Sequence, residues 1–246
     1  MAVNQTTMGV VKHLFAKESL THVFQPIYNI INNQIIGFEA FIRHKQIQNP
    51  EVLFNKANEL NKLYDMDTIS IEMALEKFSR SYLDGTYLFL NIFPSTIIHP
   101  RFPAFLHELK KHYPSNMKQV IFEINEAITE EAILDTPEFL RNLTIVKNMN
   151  IQVAMDDIGK WGVPLEKMEN IIPHIIKLDQ CLALKLSSTL KNQMLVRELV
   201  GYCQQHQITL ILEGIEENDD LQIAKELGVM YGQGYLLARP QKDFVN

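Results

Sequence analysis

The stretch IQVAMDDIGKWG, residues 151–162, begins with alternating apolar positions and then places two carboxylates side by side. This alternation is typical of a strand with a buried face, and the glycines that follow indicate a loop. Asp156 and Asp157 therefore stand where the strand ends. Two acids at such a position form either a solvated turn with a helix cap or a cation site, and the other strands distinguish these alternatives.

Seven further segments are short and rich in β-branched or aromatic residues, as buried strands require. They are HVFQPIYNI (22–30), QIIGFEAFIRH (34–44), YLFLNIF (87–93), VIFEINE (120–126), IIKLD (175–179), TLILEGI (209–215) and YGQGYLLARP (231–240). Only a short polar turn separates the first two, which predicts an antiparallel hairpin. The segments between the later strands carry apolar residues at three- and four-residue spacing, which predicts amphipathic helices. These helices are expected over residues 51–63, 67–83, 137–149, 187–206 and 219–228.

The alternation of strands and helices predicts an α/β fold, a modified TIM (β/α)₈ barrel whose first two strands form the antiparallel hairpin. We expect a leading helical segment over residues 1–19 and a single barrel domain over residues 20–246. Capping residues precede several helices, and a glycine closes the last one. The expected N-caps are Asp67, Thr136, Ser187 and Asn218, and the expected closing residue is Gly228.

The composition is that of an ordinary globular protein. The chain has 246 residues, of which 46% are hydrophobic and 21% charged, and its formal net charge is −6. It therefore has no overall basic field to attract a nucleic-acid polymer or an anionic membrane surface. Because no apolar run reaches about 18 residues, we expect no membrane segment. Cys181 and Cys203 form neither a disulfide framework nor a paired metal spacing, so a cytoplasmic location is expected.

Polar side chains recur at the ends of seven of the eight predicted strands. In a barrel of this kind the carboxyl ends of the strands meet at one face. The residues concerned are Glu39, Asn91, Glu123, Asp156, Asp157, Lys177, Glu213 and Gln233. A single carboxylate at a strand end is ordinarily a turn or a helix cap, but recurrence around the whole rim favours one shared site.

Five carboxylates converging with one lysine pose an electrostatic problem. Two like charges ~4 Å apart repel by roughly 4 kcal/mol at an effective dielectric near 20. Such a cluster must either take up protons or bind cations. Oxygen ligands without histidine or cysteine select hard ions such as magnesium, manganese or calcium, and Lys177 would then orient a water or steady developing charge. A different magnesium-dependent barrel enzyme of the enolase type also fits three carboxylates and a lysine.

The ordered motifs distinguish these enzymes. The segments QPIYNI, IIGFEAFIRH, LNIF, FEINE, MDDIG, IKLD, LEGIE and YGQGYLLARP appear in that order over residues 20–241. They resemble the signature segments of EAL-domain cyclic-di-GMP phosphodiesterases. The resemblance implies hydrolysis of one phosphodiester of cyclic-di-GMP to linear pGpG with two ions, Mg²⁺ or Mn²⁺. Together with the asparagine on the third strand and the pairing of Glu39 with Arg43, it argues against the enolase type.

The resemblance also implies a role for each matching residue. Those that look like metal ligands are Glu39, Asn91, Glu123, Asp156 and Asp157, with Asp156 shared between the two ions. Those that resemble the catalytic surroundings of the ions are Lys177, Glu213 and Gln233, together with the two aspartates. Those that resemble substrate contacts are Gln25 and Arg43, and those that resemble supporting residues are Glu126 and Glu216.

Two departures from the family pattern bear on activity. The name-giving triplet ends in Phe41 instead of leucine, which leaves the ligand Glu39 in place. The loop at residues 158–164 lacks the family's usual hydroxyl residues, although Glu126, their usual partner, is present. A non-hydrolytic cyclic-di-GMP sensor or protein-binding module therefore remains an alternative, and the resemblance implies a homodimer. Trp161 in this loop either packs into the local core, stacks on a guanine or covers a dimer interface.

Overall fold

The computed structural model describes residues 16–125, 130–160 and 165–244. Eight strands form a closed barrel and neighbour one another in sequence order. They are β1 (Leu20–Asn29), β2 (Gln34–His44), β3 (Tyr87–Ile92), β4 (Val120–Asn125), β5 (Gln152–Ile158), β6 (Ile175–Leu178), β7 (Thr209–Leu212) and β8 (Tyr231–Gly232). β1 runs antiparallel to both β2 and β8, whereas every other neighbouring pair is parallel. The predicted modified TIM barrel and its first hairpin are confirmed.

The hairpin of β1 and β2 is longer than the barrel wall. Only four residues of β2, from Gly37 to Ala40, pair with β3. Residues 41–44 continue beyond the wall and pair with β1 alone, so that Arg43 lies opposite Thr21 and His44 opposite Leu20. We call this two-stranded extension, residues 20–23 and 41–44, the ribbon. It stands beside the face at which the parallel strands end.

Helices connect the strands and cover the outside of the barrel. They are α1 (Pro50–Glu59), α2 (Leu63–Ser79), α3 (Pro94–Ile97), α4 (Phe102–His112), α5 (Glu131–Leu134), α6 (Pro137–Asn148), α7 (Leu165–Ile171), α8 (Gln180–Ala183), α9 (Leu190–His206) and α10 (Asn218–Glu226). Short 3₁₀ turns lie at Lys17–Ser19, Met117–Gln119 and Leu186–Ser188. Thr136 caps α6 as predicted, accepting a hydrogen bond from the Phe139 amide, and Gly228 follows α10 with φ of 91°.

Several expected boundaries were wrong. Asp67 is not an N-cap; it lies inside α2 and its side chain is buried. Ser187 belongs to a 3₁₀ turn, and α9 begins three residues later after Thr189. Asn218 is the first residue of α10 and not its N-cap. The eighth strand has two residues instead of ten, because the chain after Gly232 turns to meet the backbone of Ile215.

The main hydrophobic core lies between the barrel wall and the helices. It joins outward-facing strand residues such as Phe122 and Val153 to helix residues such as Leu75, Leu106 and Val146, all at most 1% exposed. Within the described residues no helix has both the length and the apolar character needed to cross a bilayer. The expected leading segment falls largely on residues 1–15, outside the described part of the chain, and its boundary stays a prediction.

Candidate functional site

The inside of the barrel consists of two layers of side chains. The apolar layer is Ile27, Phe89, Ile121, Ala154, Ile175 and Ile211. The polar layer is Gln25, Glu39, Asn91, Glu123, Asp156, Lys177, Glu213 and Gln233. Because side chains of a strand point to one face at every second residue, most polar residues follow an apolar one by two positions. In antiparallel β1 the order is reversed, so Gln25 precedes Ile27.

Lys177 stands at the centre of the polar layer and is fully buried. Its Nζ lies 2.9 Å from Glu39 Oε2, 2.6 Å from Glu123 Oε1, 2.5 Å from Glu213 Oε1 and 3.5 Å from Asp156 Oδ1. A buried ammonium is stable only with compensating charge, which these carboxylates supply. The structure therefore brings residues of four strands, and Glu213 directly after β7, into one ion cluster. Lys177 and Glu39 are 138 positions apart in the sequence.

Two amide side chains hold the carboxylates in register. Asn91 Nδ2 donates to Glu39 Oε1 at 3.1 Å and to Glu123 Oε2 at 3.2 Å. Gln233 Nε2 donates to Glu39 Oε2 at 3.1 Å. The next residue, Gly234, lies directly against the backbone of Ile215, where a Cβ would be 2.1 Å from the carbonyl oxygen. Glycine therefore allows the chain at Gln233 to approach this closely. Glu39 is thus bound from both sides by neutral donors as well as by Lys177.

A bulge in β5 explains how two consecutive aspartates reach the same site. Adjacent residues of a regular strand point to opposite faces. Between the pairs Met155–Ile176 and Ile158–Leu178, however, β5 contains one residue more than β6, and Asp157 has φ of 59°. A bulge of this kind re-aims the side chains of the strand that contains it. Asp157 thereby joins Asp156 on the open side of the cluster.

Burial and mutual repulsion raise the pKa of the acids. Desolvation raises the pKa of Asp156 to about 6, with Glu39 and Asp157 adding to the shift and Lys177 opposing it. The pKa values of Glu123 and Glu213 are also raised well above their ordinary range, chiefly by burial. Burial alone would lower the pKa of Lys177, but the surrounding carboxylates raise it well above its usual value. The lysine is therefore charged, and without bound cations Glu123, Asp156 and Glu213 ionise less readily than ordinary carboxyl groups.

The oxygens of the site fit divalent cations. Ligand atoms of Glu39, Glu123 and Asp156 lie within 4.8 Å of one another, and so do those of Asp156, Asp157 and Glu213. Asp156 belongs to both groups. Gln233 Oε1 is buried and accepts no hydrogen bond from the described residues, and Asp156 Oδ1 faces Lys177 without a hydrogen bond. Carboxylate and amide oxygens in overlapping groups are the donor set that magnesium and manganese take.

The site opens into a cleft of about 910 Å³ at the carboxyl ends of the strands. The predicted substrate contacts Gln25 and Arg43 and the predicted supporting residue Glu216 all line it. Gln25 Nε2 donates to the carbonyl of Ala238 at 3.0 Å, and Arg43 Nη1 donates to the carbonyl of Ile42 at 2.9 Å. Glu216 is exposed. These three residues therefore border the cleft without joining the ion cluster, and their roles stay predictions.

Two expectations fall outside the described residues. Glu126 and Trp161 belong to residues 126–129 and 161–164, so their predicted positions remain predictions. The structure also adds cleft residues that the sequence reading did not select, among them Lys160, Phe54 and Tyr235. Lys160 was already in the stretch quoted first, three residues after Asp157 across a glycine turn. A lysine three residues after an aspartate, with a glycine between them, could have predicted a contact between the two side chains.

Comparison with known proteins identifies the family. A family model described as the EAL domain matches residues 10–240. The chain belongs to the EAL domain family. This EAL domain is 25% identical over 232 residues to the cyclic di-GMP phosphodiesterase TpdA of Vibrio parahaemolyticus, a match that covers 94% of the chain and 39% of TpdA. It spans 21% and 26% of two Escherichia coli relatives, PdeA and PdeF.

Solved structures match the EAL domain along most of its length. An EAL domain protein from Listeria monocytogenes is 26% identical, with a TM-score of 0.82 over 98% of this chain and 95% of that one. BlrP1 of Klebsiella pneumoniae, solved as a manganese and cy-diGMP complex, is 24% identical with a TM-score of 0.82. That match covers 91% of this chain and 56% of BlrP1, and at this identity it shows the fold alone.

Proposed function

We propose that this EAL domain is a metal-dependent phosphodiesterase that opens one phosphodiester bond of cyclic-di-GMP to give linear 5′-pGpG. One observation carries the proposal. Two groups of carboxylates share Asp156 beside the buried Lys177 and face a cleft at the carboxyl ends of the barrel strands. Catalytic groups of (β/α)₈ enzymes lie at that face, and paired cation sites with a shared ligand are typical of phosphodiester hydrolysis.

The cleft has the chemistry that a cyclic dinucleotide requires. Arg43 supplies a planar guanidinium for a phosphate, and the half-buried rings of Phe41, Phe54 and Phe93 supply apolar surface for a base. The choice of cyclic-di-GMP over other dinucleotides comes from the relatives. TpdA is named a phosphodiesterase of this nucleotide, and BlrP1 was solved in complex with it.

Two divalent cations, Mg²⁺ or Mn²⁺, would be held by residues of the polar layer together with Asp157. The ligands of the first would be Glu39, Asn91, Glu123 and Asp156, and those of the second would be Asp156, Asp157 and Glu213. When bound, such cations neutralise the carboxylates and supply Lewis-acid stabilisation of the phosphoryl group and a lowered pKa of water. Gln233, with its buried unpaired oxygen, borders the first site.

The protein's own groups have separate tasks in the proposed reaction. Arg43 binds and orients a phosphate at the cleft wall. Glu213, the partly exposed partner of Lys177, would hold the second cation at the open edge of the cluster, where the attacking water has access. Lys177 stays charged and stabilises negative charge that develops at the reacting phosphate. Asn91 keeps Glu39 and Glu123 in their relative positions throughout.

The test is hydrolysis by the purified chain. With Mg²⁺ or Mn²⁺, we expect the chain to convert cyclic-di-GMP to 5′-pGpG. Chromatography of the reaction mixture measures the product. Asp156→Asn should lower turnover by at least about a thousandfold, because it removes the ligand shared by both groups. The matched control is Asp219→Asn, an exposed aspartate in the first turn of α10, which should leave turnover unchanged. Absence of product after long incubation with either metal would refute the proposal.

A non-hydrolytic sensor of the same nucleotide is the second candidate. The observation in its favour is Lys160, whose Nζ lies 3.5 Å from Asp157 Oδ2 and so offers the second group a resident positive charge. Calorimetry distinguishes the two candidates, because a sensor binds cyclic-di-GMP without releasing a linear product. A protein-binding module would bind neither the nucleotide nor its product.

We also propose a cytoplasmic homodimer, with a helical segment over residues 1–19 followed by the barrel over residues 20–246. The two thiols without a disulfide framework support the compartment. Specific activity measured at two protein concentrations, together with light scattering, tests the dimer. Activity per chain should rise with concentration if association completes the site, and an unchanged value with a monomeric mass would contradict it.

A further inference from the structure

Lys160 lies at the mouth of the proposed second cation site. Its Nζ lies 3.5 Å from Asp157 Oδ2, and both residues line the same cleft as Asp156 and Glu213. The Lys160 side chain is 44% exposed, whereas that of Asp157 is 21% exposed. A solvated ammonium therefore reaches one ligand of the second group from the solvent side.

The backbone fixes Lys160 in this position. Asp157 and Gly159 have φ values of 59° and 101°, and the Lys160 amide donates to the Asp157 carbonyl at 3.3 Å. These values describe a tight turn that returns the chain over the aspartate. The turn is also packed against α8, since a Cβ on Gly159 would lie 2.5 Å from a methyl group of Leu182. The approach of Lys160 is thus a property of the fold.

We infer that Lys160 competes with the second cation for Asp157 and thereby weakens binding at the Asp156, Asp157 and Glu213 group relative to the Glu39, Glu123 and Asp156 group. This inference rests on the two cation sites of the proposed function. A cation bound by Asp157 must displace the ammonium or accept its repulsion, whereas the three carboxylates of the first group are all buried. Lys160 is therefore a positioning residue for the metal centre.

Lys177 provides a contrast. It contacts Glu39 and Glu123 of the first group, Glu213 of the second and the shared Asp156, so its charge acts on both groups together. The ion pair of Lys160 with Asp157 lies in the second group. Removing the Lys160 charge should therefore change one dissociation constant and leave the other, an outcome that a general structural defect would not produce.

The experiment is a Mn²⁺ titration of the full chain by calorimetry, with electron paramagnetic resonance to detect coupling between neighbouring ions. Lys160→Ala should tighten binding of the second ion by about threefold or more, in line with the strength of partly exposed ion pairs acting on a divalent charge. The first dissociation constant should stay within about twofold. Lys160→Arg, which keeps the charge, and Lys191→Ala, an exposed lysine of α9, should behave as the wild type.

A double-mutant cycle with Asp157→Asn completes the test, because the effect of Lys160→Ala should disappear in that background. High salt should also reduce the effect, as expected for a solvated charge. If the wild type binds two ions and Lys160→Ala changes neither constant, the inference fails while the two-ion site stands. If neither protein binds a second ion, both the inference and the two-ion proposal fail.

Discussion

The two layers inside the barrel lie only two residues apart on the same strands, yet their chemistry is opposite. The apolar layer has buried aliphatic and aromatic side chains with no charge to satisfy. The polar layer has carboxylates with raised pKa values packed around one ammonium. One strand therefore supplies scaffold at one inward-facing position and chemistry at the next, because the period of two keeps both side chains inside.

The difference indicates where the fold gains and loses stability. Burial of the apolar layer stabilises the barrel, whereas the polar layer holds several acidic groups close together. Natural proteins tolerate such sites when the rest of the structure is stable enough to hold them. We therefore expect substitutions in the two layers to separate stability from metal binding.

The largest stability effect should come from the apolar layer. Phe89→Ala should lower the free energy of unfolding by about 3–5 kcal/mol, as for other buried phenylalanines. Phe89 is 0% exposed and its ring fills the space over Gly37. Urea denaturation measures the loss, and Tyr82→Ala, at a position 90% exposed, is the control with an expected change within about 0.5 kcal/mol.

The folded fraction of Phe89→Ala should still bind Mn²⁺ at the polar layer. Loss of Mn²⁺ binding without loss of stability would show that the two layers cannot be treated as separate regions.

A smaller effect concerns the pH dependence of the metal-free protein. The pKa of Asp156 rises from its ordinary value of 3.8 to about 6, so folding is accompanied by proton uptake. Its contribution to stability is fully present below the unfolded pKa and is lost as pH rises through the folded pKa. We expect the free energy of unfolding in chelator to fall by on the order of 3 kcal/mol across that window.

Asp156→Asn isolates this effect, because asparagine does not titrate. Its stability curve should be flatter than that of the wild type, and above about pH 6 the variant should be the more stable protein in chelator. Added Mn²⁺ should restore the wild type by mass action and should help the variant less. Parallel pH curves for the two proteins would contradict the assignment.

The smallest expected effect comes from a member of the polar layer that holds backbone. Gln25 is 6% exposed and donates to the Ala238 carbonyl, away from the ion cluster. Gln25→Ala should cost about 1–2 kcal/mol of unfolding free energy, with Mn²⁺ affinity unchanged. Gln34→Ala, at an exposed position of β2, is the control. A large loss of Mn²⁺ affinity would contradict this assignment and show that Gln25 contributes to the ion cluster.

Much of the fold could be predicted because its signals are local. β2 was predicted at Gln34–His44 and found there, since its β-rich composition is bounded by clear turn residues. The identities of the acids at the rim likewise followed from where each strand ends. Hydrophobic periodicity does not report tertiary contacts, however. This explains why Asp67 and Ser187 were wrongly predicted to be N-caps.

Asp67 shows the physical reason. Its side chain accepts a hydrogen bond at 3.0 Å from the amide of Phe93, the residue that follows β3. Burial raises the pKa of Asp67 to about 7. A residue that caps a helix by composition was instead used to hold the end of β3. The bulge that turns Asp157 toward Asp156 was equally unpredictable, because it depends on pairing with β6. Adjacent acids in sequence give no signal of which face each will take.

The ribbon has a mechanical consequence. Arg43 lies opposite Thr21, beyond the part of β2 that pairs with β3, so the closed wall does not fix it directly. The ribbon is held instead by helix packing, because Leu20 and Ile42 belong to a buried cluster that includes Met66 of α2. The phosphate-facing side of the cleft is therefore anchored by the outer helices, whereas the ion-facing side is anchored by the closed ring of strands.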